Sequence, residues 1–124
     1  MSLTDFFEFK TRIIELVSDK KAIDIREYDV QSHLWITDYI IVLGVSNVVH
    51  CKAIITEITK WVNQIIESDL DRLGLCEVNQ SGDENSGWVI LDMGSLIIHC
   101  IDVESRQFYQ LDDLFEKQGT VYYY

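Results

Sequence analysis

Proline is absent from the sequence, and cysteine and glycine are scarce, which excludes several classes of protein. The 124 residues hold 6 glycines and 3 cysteines. No Pro/Gly-rich linker, repeat or low-complexity tract divides the chain, which predicts one domain over residues 1–124. Cys51, Cys76 and Cys100 are odd in number and widely spaced. They fit neither a disulfide framework nor a zinc-ligand pattern, so we expect reduced thiols and no metal or cofactor.

Basic residues are also few, since 10 lysines and arginines stand against 21 aspartates and glutamates, a formal net charge of −11. Lys20 and Lys21 form the one adjacent basic pair in the sequence. RNA would repel such a surface, so we expect little direct nucleic-acid contact. A basic protein would be attracted to it, although the same charge also serves solubility. Composition does not decide between these two roles.

Long hydrophobic runs are missing as well, since none reaches the ~18 residues of a membrane span. The longest candidate, Tyr39 to Val45, has the length of a buried strand. Residues 1–10 carry Asp5 and Glu8 and lack the basic start of a signal peptide. These features predict a cytoplasmic protein. Apolar residues make up 48% of the chain, which is enough for a globular core.

The spacing of apolar residues predicts an α/β fold with helices beside a mixed sheet. The predicted helices span about residues 3–18, capped by Thr4, and 46–70, capped by Ser46 or Asn47. The predicted strands are Ile23–Val30, Tyr39–Leu43, Leu75–Val78, Trp88–Asp92 and Leu96–Ile101. A strand, a helix and a later strand favour a parallel crossover, and the last two strands form a hairpin.

The remaining segments have a less regular pattern. Gln31–Leu34 is predicted to be a turn, residues 79–87 a polar loop, and Asp102–Ser105 a turn or short helical stretch. Residues 119–124 are predicted to form a frayed aromatic tail. Five residues are expected to anchor the C-terminal segment, namely Phe108, Tyr109, Leu111, Leu114 and Phe115.

Patterns that would indicate catalysis are incomplete. Gly44-Val45-Ser46 lies between a predicted strand and helix, but a hydrolase elbow needs a second glycine where Val48 stands. A nucleotidyltransferase would need two carboxylates on the next strand to bind Mg²⁺, and Glu57 instead lies alone inside a predicted helix. Ser46 is therefore better explained as a helix cap.

Scattered carboxylates and histidines give no stronger signal of chemistry. Asp38, Asp92 and Asp102 lie near predicted strand ends, where sites on α/β sheets gather, but 21 acidic residues make this expected by chance. His33 lies in a predicted turn, and His99 has apolar neighbours that favour a buried, hydrogen-bonded side chain. The sequence therefore predicts no enzyme.

A surface for binding another protein is the better-supported alternative. Trp88, Ile90 and Asp92 share one face of their predicted strand, because side chains alternate along it. With Met93 beside them, they have the composition of a protein-binding hot spot. Two arrangements remain open, because this face could equally meet the core while Val89 and Leu91 meet a second layer.

Three stretches of the sequence together form a family pattern. The first is residues 21–25 (KAIDI) with 36–39 (ITDY) and 44–47 (GVSN), the second is 87–94 (GWVILDMG) running on to His99, and the third is 104–111 (ESRQFYQL) with Leu114-Phe115. In this order and spacing they cover most of the chain, and they resemble the ribosomal silencing factor family, also called RsfS or Iojap-like.

The resemblance implies a nucleotidyltransferase-like α/β fold without the catalytic residues. It also implies binding to the large ribosomal subunit through large-subunit protein fourteen, a basic protein at the subunit interface. Bound there, such proteins block joining of the small subunit and reduce translation when nutrients are short. An assembly role on the same protein is the alternative that the resemblance leaves open, and a diverged nucleotidyltransferase is a further one. Members of the family can also self-associate, so a homodimer is compatible with the pattern.

The resemblance implies a docking face as well. Asp92 would pair with a basic residue of the partner, and Trp88 and Met93 would fill an apolar contact. Four further residues match family positions, namely Asp38, Tyr39, Arg106 and Tyr109. Arg106 is equally compatible with a structural role as partner of Asp38 or Glu104.

The chain departs from the family pattern in several places. Val45, Val48 and Val49 replace the usual Thr and Arg-His, with His50 displaced by one, Ser95 replaces an acid, and Phe115 replaces a Trp. Any contact made by the missing Arg-His is therefore changed in this chain.

Overall fold

A six-stranded mixed sheet forms the centre of the computed structural model, which describes residues 5–31 and 37–124. The strands are β1 (Ile23–Asp29), β2 (Tyr39–Val45), β3 (Leu75–Ser81), β4 (Trp88–Gly94), β5 (Leu96–Asp102) and β6 (Thr120–Tyr123). They lie in the order β3-β4-β5-β2-β1-β6. Strands β2 and β5 are parallel, and the other neighbours are antiparallel. The predicted α/β class, the parallel crossover and the β4–β5 hairpin are confirmed.

Helices flank this sheet, and they are α1 (Phe6–Asp19), α2 (Val48–Val62), α3 (Glu67–Arg72), α4 (Val103–Tyr109) and α5 (Leu111–Glu116). The cap of α1 is Asp5, whose carboxylate accepts the Glu8 N–H at 2.8 Å. The cap of α2 is Asn47 and not Ser46, since the Asn47 side chain accepts the His50 N–H at 2.8 Å. The predicted cap Thr4 and residues 32–34 of the predicted turn lie outside the described residues.

Three predicted segments are wrong in detail. The long second helix is broken, because Ile66 is extended (ψ 145°) between α2 and α3 while Ile65 turns into the core. The predicted polar loop begins later than expected, because β3 continues to Ser81 beside β4. The predicted frayed tail is strand β6, which pairs with β1 and places Tyr123 opposite Arg26.

The sheet has one covered face and one partly covered face. Alternate residues of β2, β4 and β5 point toward α1 and α2 and form the larger core, which includes Ile41, Leu91 and Ile98. The other face carries a smaller core in which Leu111 and Phe115 of α5 pack on the sheet. The expectation that Phe108, Tyr109 and Leu114 also anchor this segment is wrong, because they are 79%, 58% and 54% exposed.

This arrangement determines where a binding surface is available. Helices α4 and α5 pack near the middle of the second face, against residues of β1, β2 and β5. On the same face, side chains of β3 and β4 remain exposed or half-buried, including Asn79, Ile90 and Asp92. Within the described residues, no helix is long and apolar enough to cross a membrane.

Candidate docking site

Side chains of strand β4 alternate between the two faces of the sheet. Their burial shows which of the two arrangements left open by the sequence is present. Val89 and Leu91 are fully buried in the larger core. Trp88 and Ile90 are half-buried and Asp92 is exposed on the opposite face. The register places Asp92 opposite Ile97 of β5. We call Trp88, Ile90, Asp92 and Ile97 the β4 strip.

Met93 does not belong to the β4 strip, contrary to the expectation from the resemblance. Its side chain is 0% exposed and packs in the larger core with Val89 and Leu91. The reason is the two-residue period of a strand, which turns Met93 away from its neighbour Asp92. A partner that contacts the folded chain meets Asp92 without Met93.

A hydrogen bond fixes the indole of Trp88. Its Nε1–H donates to Nδ1 of His99 over 3.0 Å. The centroid of the His99 ring lies 5.3 Å from that of Phe115 in α5. Burial lowers the pKa of His99 to about 4, which keeps the imidazole neutral and able to accept this bond. The prediction of a buried, hydrogen-bonded His99 is confirmed, and its partner is the strip's tryptophan.

Tyr109 extends the aromatic surface beside Trp88. The two ring centroids are 5.4 Å apart. Phe108 meets Tyr109 edge to face at 4.9 Å. A continuous row of rings therefore runs from exposed Phe108, through Tyr109 and Trp88, to buried His99.

Arg106 is a structural residue at the base of this helix pair. Its side chain is 8% exposed, and its Nε donates to Oδ2 of Asp112 at 2.6 Å. Its Nη1 donates to the carbonyls of Ile23 and Asp24 at 3.3 and 2.7 Å. Arg106 thus ties α4 and α5 to β1. Its carboxylate partners are Asp112 and, at 3.9 Å, Asp24, and the expectation of Asp38 or Glu104 in that role is corrected.

Asp112 also accepts a hydrogen bond from buried Tyr28, in addition to those from Arg106. The Tyr28 hydroxyl donates to its Oδ1 at 2.5 Å. Burial alone would raise the pKa of Asp112, but the hydrogen bonds from Arg106 and Tyr28 hold it below its usual range. The Arg106–Asp112–Tyr28 contact therefore holds α5, with Phe115, against the second face.

Tyr39 is not brought together with the β4 strip. Tyr39 packs against the larger core on the opposite face, with its ring centroid 5.1 Å from Phe6 and 4.7 Å from the Lys10 ammonium. Asp38 is exposed just before β2, and its N–H donates to the Ser95 carbonyl. The resemblance grouped these residues with Trp88, but the sheet separates Tyr39 from it.

Two polar side chains at element ends, Asp102 and His50, make hydrogen bonds that stabilise the fold. Asp102 caps α4 by accepting the Ser105 N–H at 2.8 Å. His50 bonds the Ser46 N–H through Nδ1 and the Lys20 carbonyl through Nε2. In residues 5–31 and 37–124, no group of three or more His, Cys, Asp or Glu is arranged to hold a metal ion.

Comparison with known proteins identifies the family of the chain. The model of the family described as ribosomal silencing factor during starvation matches residues 5–122. The chain belongs to this family. Among curated proteins, ribosomal silencing factor RsfS of Treponema pallidum is 26% identical over 106 residues, which cover 84% of this chain and 86% of that protein. RsfS of Haemophilus influenzae is 24% identical over 116 residues, which cover 93% and 99%.

Solved structures show the same fold. A crystal structure of a Chromobacterium violaceum protein matches with a TM-score of 0.72 at 22% identity, covering 91% of this chain and 88% of that one. A Bacillus halodurans protein matches with a TM-score of 0.66 at 22% identity, covering 86% and 92%. The six-stranded arrangement is therefore shared with experimentally solved chains.

Proposed function

We propose that this ribosomal silencing factor binds the large ribosomal subunit through large-subunit protein fourteen and blocks joining of the small subunit. The observation that carries the proposal is the β4 strip, with a half-buried tryptophan beside α4 and an exposed carboxylate on the part of the sheet that α4 and α5 leave open. The sheet serves as a nucleotidyltransferase-like scaffold that presents this surface. Repression then requires affinity and position, and no reaction, and it takes place in the cytoplasm.

Trp88 supplies the apolar anchor of the strip. Its hydrogen bond to His99 satisfies the indole N–H, so the rest of the ring can enter an apolar contact without an unpaired donor. Ile90 follows it two residues along the same face, Ile97 lies opposite Asp92, and both isoleucines are half-buried. A tryptophan held in this way at the centre of an interface typically contributes about 2 kcal/mol or more to binding.

Asp92 supplies charge complementarity to a basic partner. One of its oxygens, Oδ1, accepts the Gly94 N–H at 2.9 Å. Asp92 takes part in none of the ion pairs among the described residues. A lysine or arginine of the partner can therefore pair with it without displacing an internal cation. The net charge of −11 would further speed the encounter with a basic protein.

Co-sedimentation with purified large subunits tests this proposal. We expect wild-type chain to pellet with the subunits and Trp88→Ala to weaken binding by about thirtyfold, the equivalent of about 2 kcal/mol. Asp92→Lys should also abolish most of the binding, because it places a cation against a basic surface. Asp19→Lys is the matched control, since it makes the same charge change on an exposed residue at the end of α1.

Circular dichroism should first show that all three variants are folded. Binding by Trp88→Ala and Asp92→Lys at wild-type strength would exclude the β4 strip as the docking surface. Equal losses in Asp92→Lys and Asp19→Lys would show that overall charge, and not the strip, determines binding.

A further inference from the structure

Helix α4 carries two exposed aromatic rings. Phe108 is 79% exposed and Tyr109 is 58% exposed, although most large apolar side chains of the described residues are buried. Phe108 contributes to neither core. Its contact is with Tyr109, which in turn contacts Trp88 of the β4 strip. The two rings are therefore continuous with the proposed docking surface.

Internal cations lie near two exposed aromatic rings elsewhere in the structure. The Arg26 guanidinium lies 5.1 Å from the ring centroid of Tyr123, which is 62% exposed. The Lys10 ammonium lies 5.4 Å from that of Phe7, which is 69% exposed. Among the described residues, no such cation lies over Phe108 or Tyr109. Their faces remain open to a cation from another molecule.

Acidic charge lies next to these rings. Glu104 precedes Phe108 by four residues in α4 and is exposed, so the two side chains are neighbours on one side of the helix. Glu104 belongs to none of the ion pairs among the described residues. A carboxylate beside an open aromatic face matches a guanidinium, which stacks on the ring through its plane and donates to the acid through its edge.

We infer that Phe108, Tyr109 and Glu104 form an arginine-binding extension of the β4 strip, which receives an arginine side chain of the same basic ribosomal protein. This inference rests on the proposed function and adds a second contact to it. The strip then supplies the apolar anchor at Trp88, and α4 supplies recognition of an arginine. An RNA base could stack on the same rings, but a surface of this charge disfavours RNA.

Binding measurements with isolated large-subunit protein fourteen test the inference. Phe108→Ala should weaken binding by about tenfold. Phe108→Leu should lose most of the same affinity, because it keeps an apolar side chain but has no ring, whereas Phe108→Tyr should bind like wild type. Phe7→Ala is the matched control, since Phe7 is a similarly exposed phenylalanine on α1, and it should change affinity less than twofold.

A double-mutant cycle identifies the partner residue. Each arginine of the ribosomal protein is changed in turn to lysine. One of these changes should weaken binding to wild-type chain but have little effect on the affinity for Phe108→Ala. The inference is overturned if no arginine is coupled to Phe108, or if Phe108→Leu binds like wild type.

The remaining outcomes also decide between explanations. Weaker binding of Phe108→Ala to whole subunits but not to the isolated protein would show an RNA contact and overturn the inference. Loss of self-association in Phe108→Ala, with unchanged affinity for the ribosomal protein, would show that a second copy covers these rings. If Trp88→Ala abolishes binding while Phe108→Ala has no effect, the proposed function stands and the extension fails. If wild-type chain does not bind at all, both fail.

Discussion

Acid should destabilise this protein through His99 in a way that can be calculated from its burial. The side chain is 8% exposed, and burial lowers its pKa from 6.5 to about 4. In the unfolded chain His99 takes up a proton near pH 6.5, whereas in the folded chain it does so only near pH 4. Between these values the unfolded state binds more protons, so the free energy of unfolding falls as the pH falls.

The size of the effect follows from the same two values. Proton linkage gives a loss of roughly 2 kcal/mol between about pH 7.5 and about pH 5, and roughly 3 kcal/mol when the pH reaches about 4. Above about pH 7.5 His99 is neutral in both states and contributes little pH dependence. Protonation of the folded chain, near pH 4, would also remove the acceptor that holds the Trp88 indole, so the strip should lose its fixed geometry at that pH.

Urea unfolding of wild type and His99→Asn at about pH 7.5 and at about pH 5 isolates the contribution of His99. The variant keeps His33, His50 and all carboxylates, so their titrations cancel in the comparison, while Asn keeps a side-chain acceptor near Trp88. Wild type should lose roughly 2 kcal/mol more than the variant at the lower pH. Parallel losses in the two proteins would refute the conclusion that His99 is buried and neutral.

Three further changes test other contacts by urea unfolding near neutral pH. Arg106→Met should lower the free energy of unfolding by about 3 kcal/mol or more, because it removes the guanidinium that pairs with the largely buried Asp112 carboxylate. A decrease below about 1 kcal/mol would contradict a structural role for Arg106. Met93→Ala should lower the free energy of unfolding by about 2–5 kcal/mol, because it leaves a cavity in the core, while the folded variant keeps wild-type affinity for large subunits. A loss of affinity would show that Met93 contributes to the docking surface. Tyr124→Phe should cost about 1–2 kcal/mol, because its hydroxyl donates to buried Glu27 at 2.9 Å, and an unchanged free energy of unfolding would show that this bond contributes nothing.

The elements with a strong period could be predicted from the sequence. The apolar run of β2 fits a strand buried on both sides, and its parallel pairing with β5 follows from the helix between them. The shared face of Trp88 and Asp92 follows from the period of a strand, and the structure adds which face this is. The same period would have excluded Met93, which was placed with them because it is adjacent in sequence and matches a family position.

Long-range pairs could not be predicted in the same way. Strand β6 forms because β1 offers it a free edge, although the aromatic, β-branched composition of Thr120–Tyr123 was a usable signal. Arg106 reaches Asp112 because Gln110 adopts a left-handed conformation (φ 51°) between α4 and α5 and redirects the chain. Helical neighbours are three or four residues apart, whereas Arg106 and Asp112 are six apart. Helical spacing therefore could not predict this pair.

The most direct test of the central claim is subunit joining followed by light scattering. Purified large subunits are preincubated with the chain, and small subunits are then added. Wild type should reduce joining in proportion to the large subunits it occupies, Trp88→Ala should not, and Asp19→Lys should act like wild type. Joining that is unaffected when wild-type chain saturates the large subunits would contradict steric blocking, even if binding itself is observed.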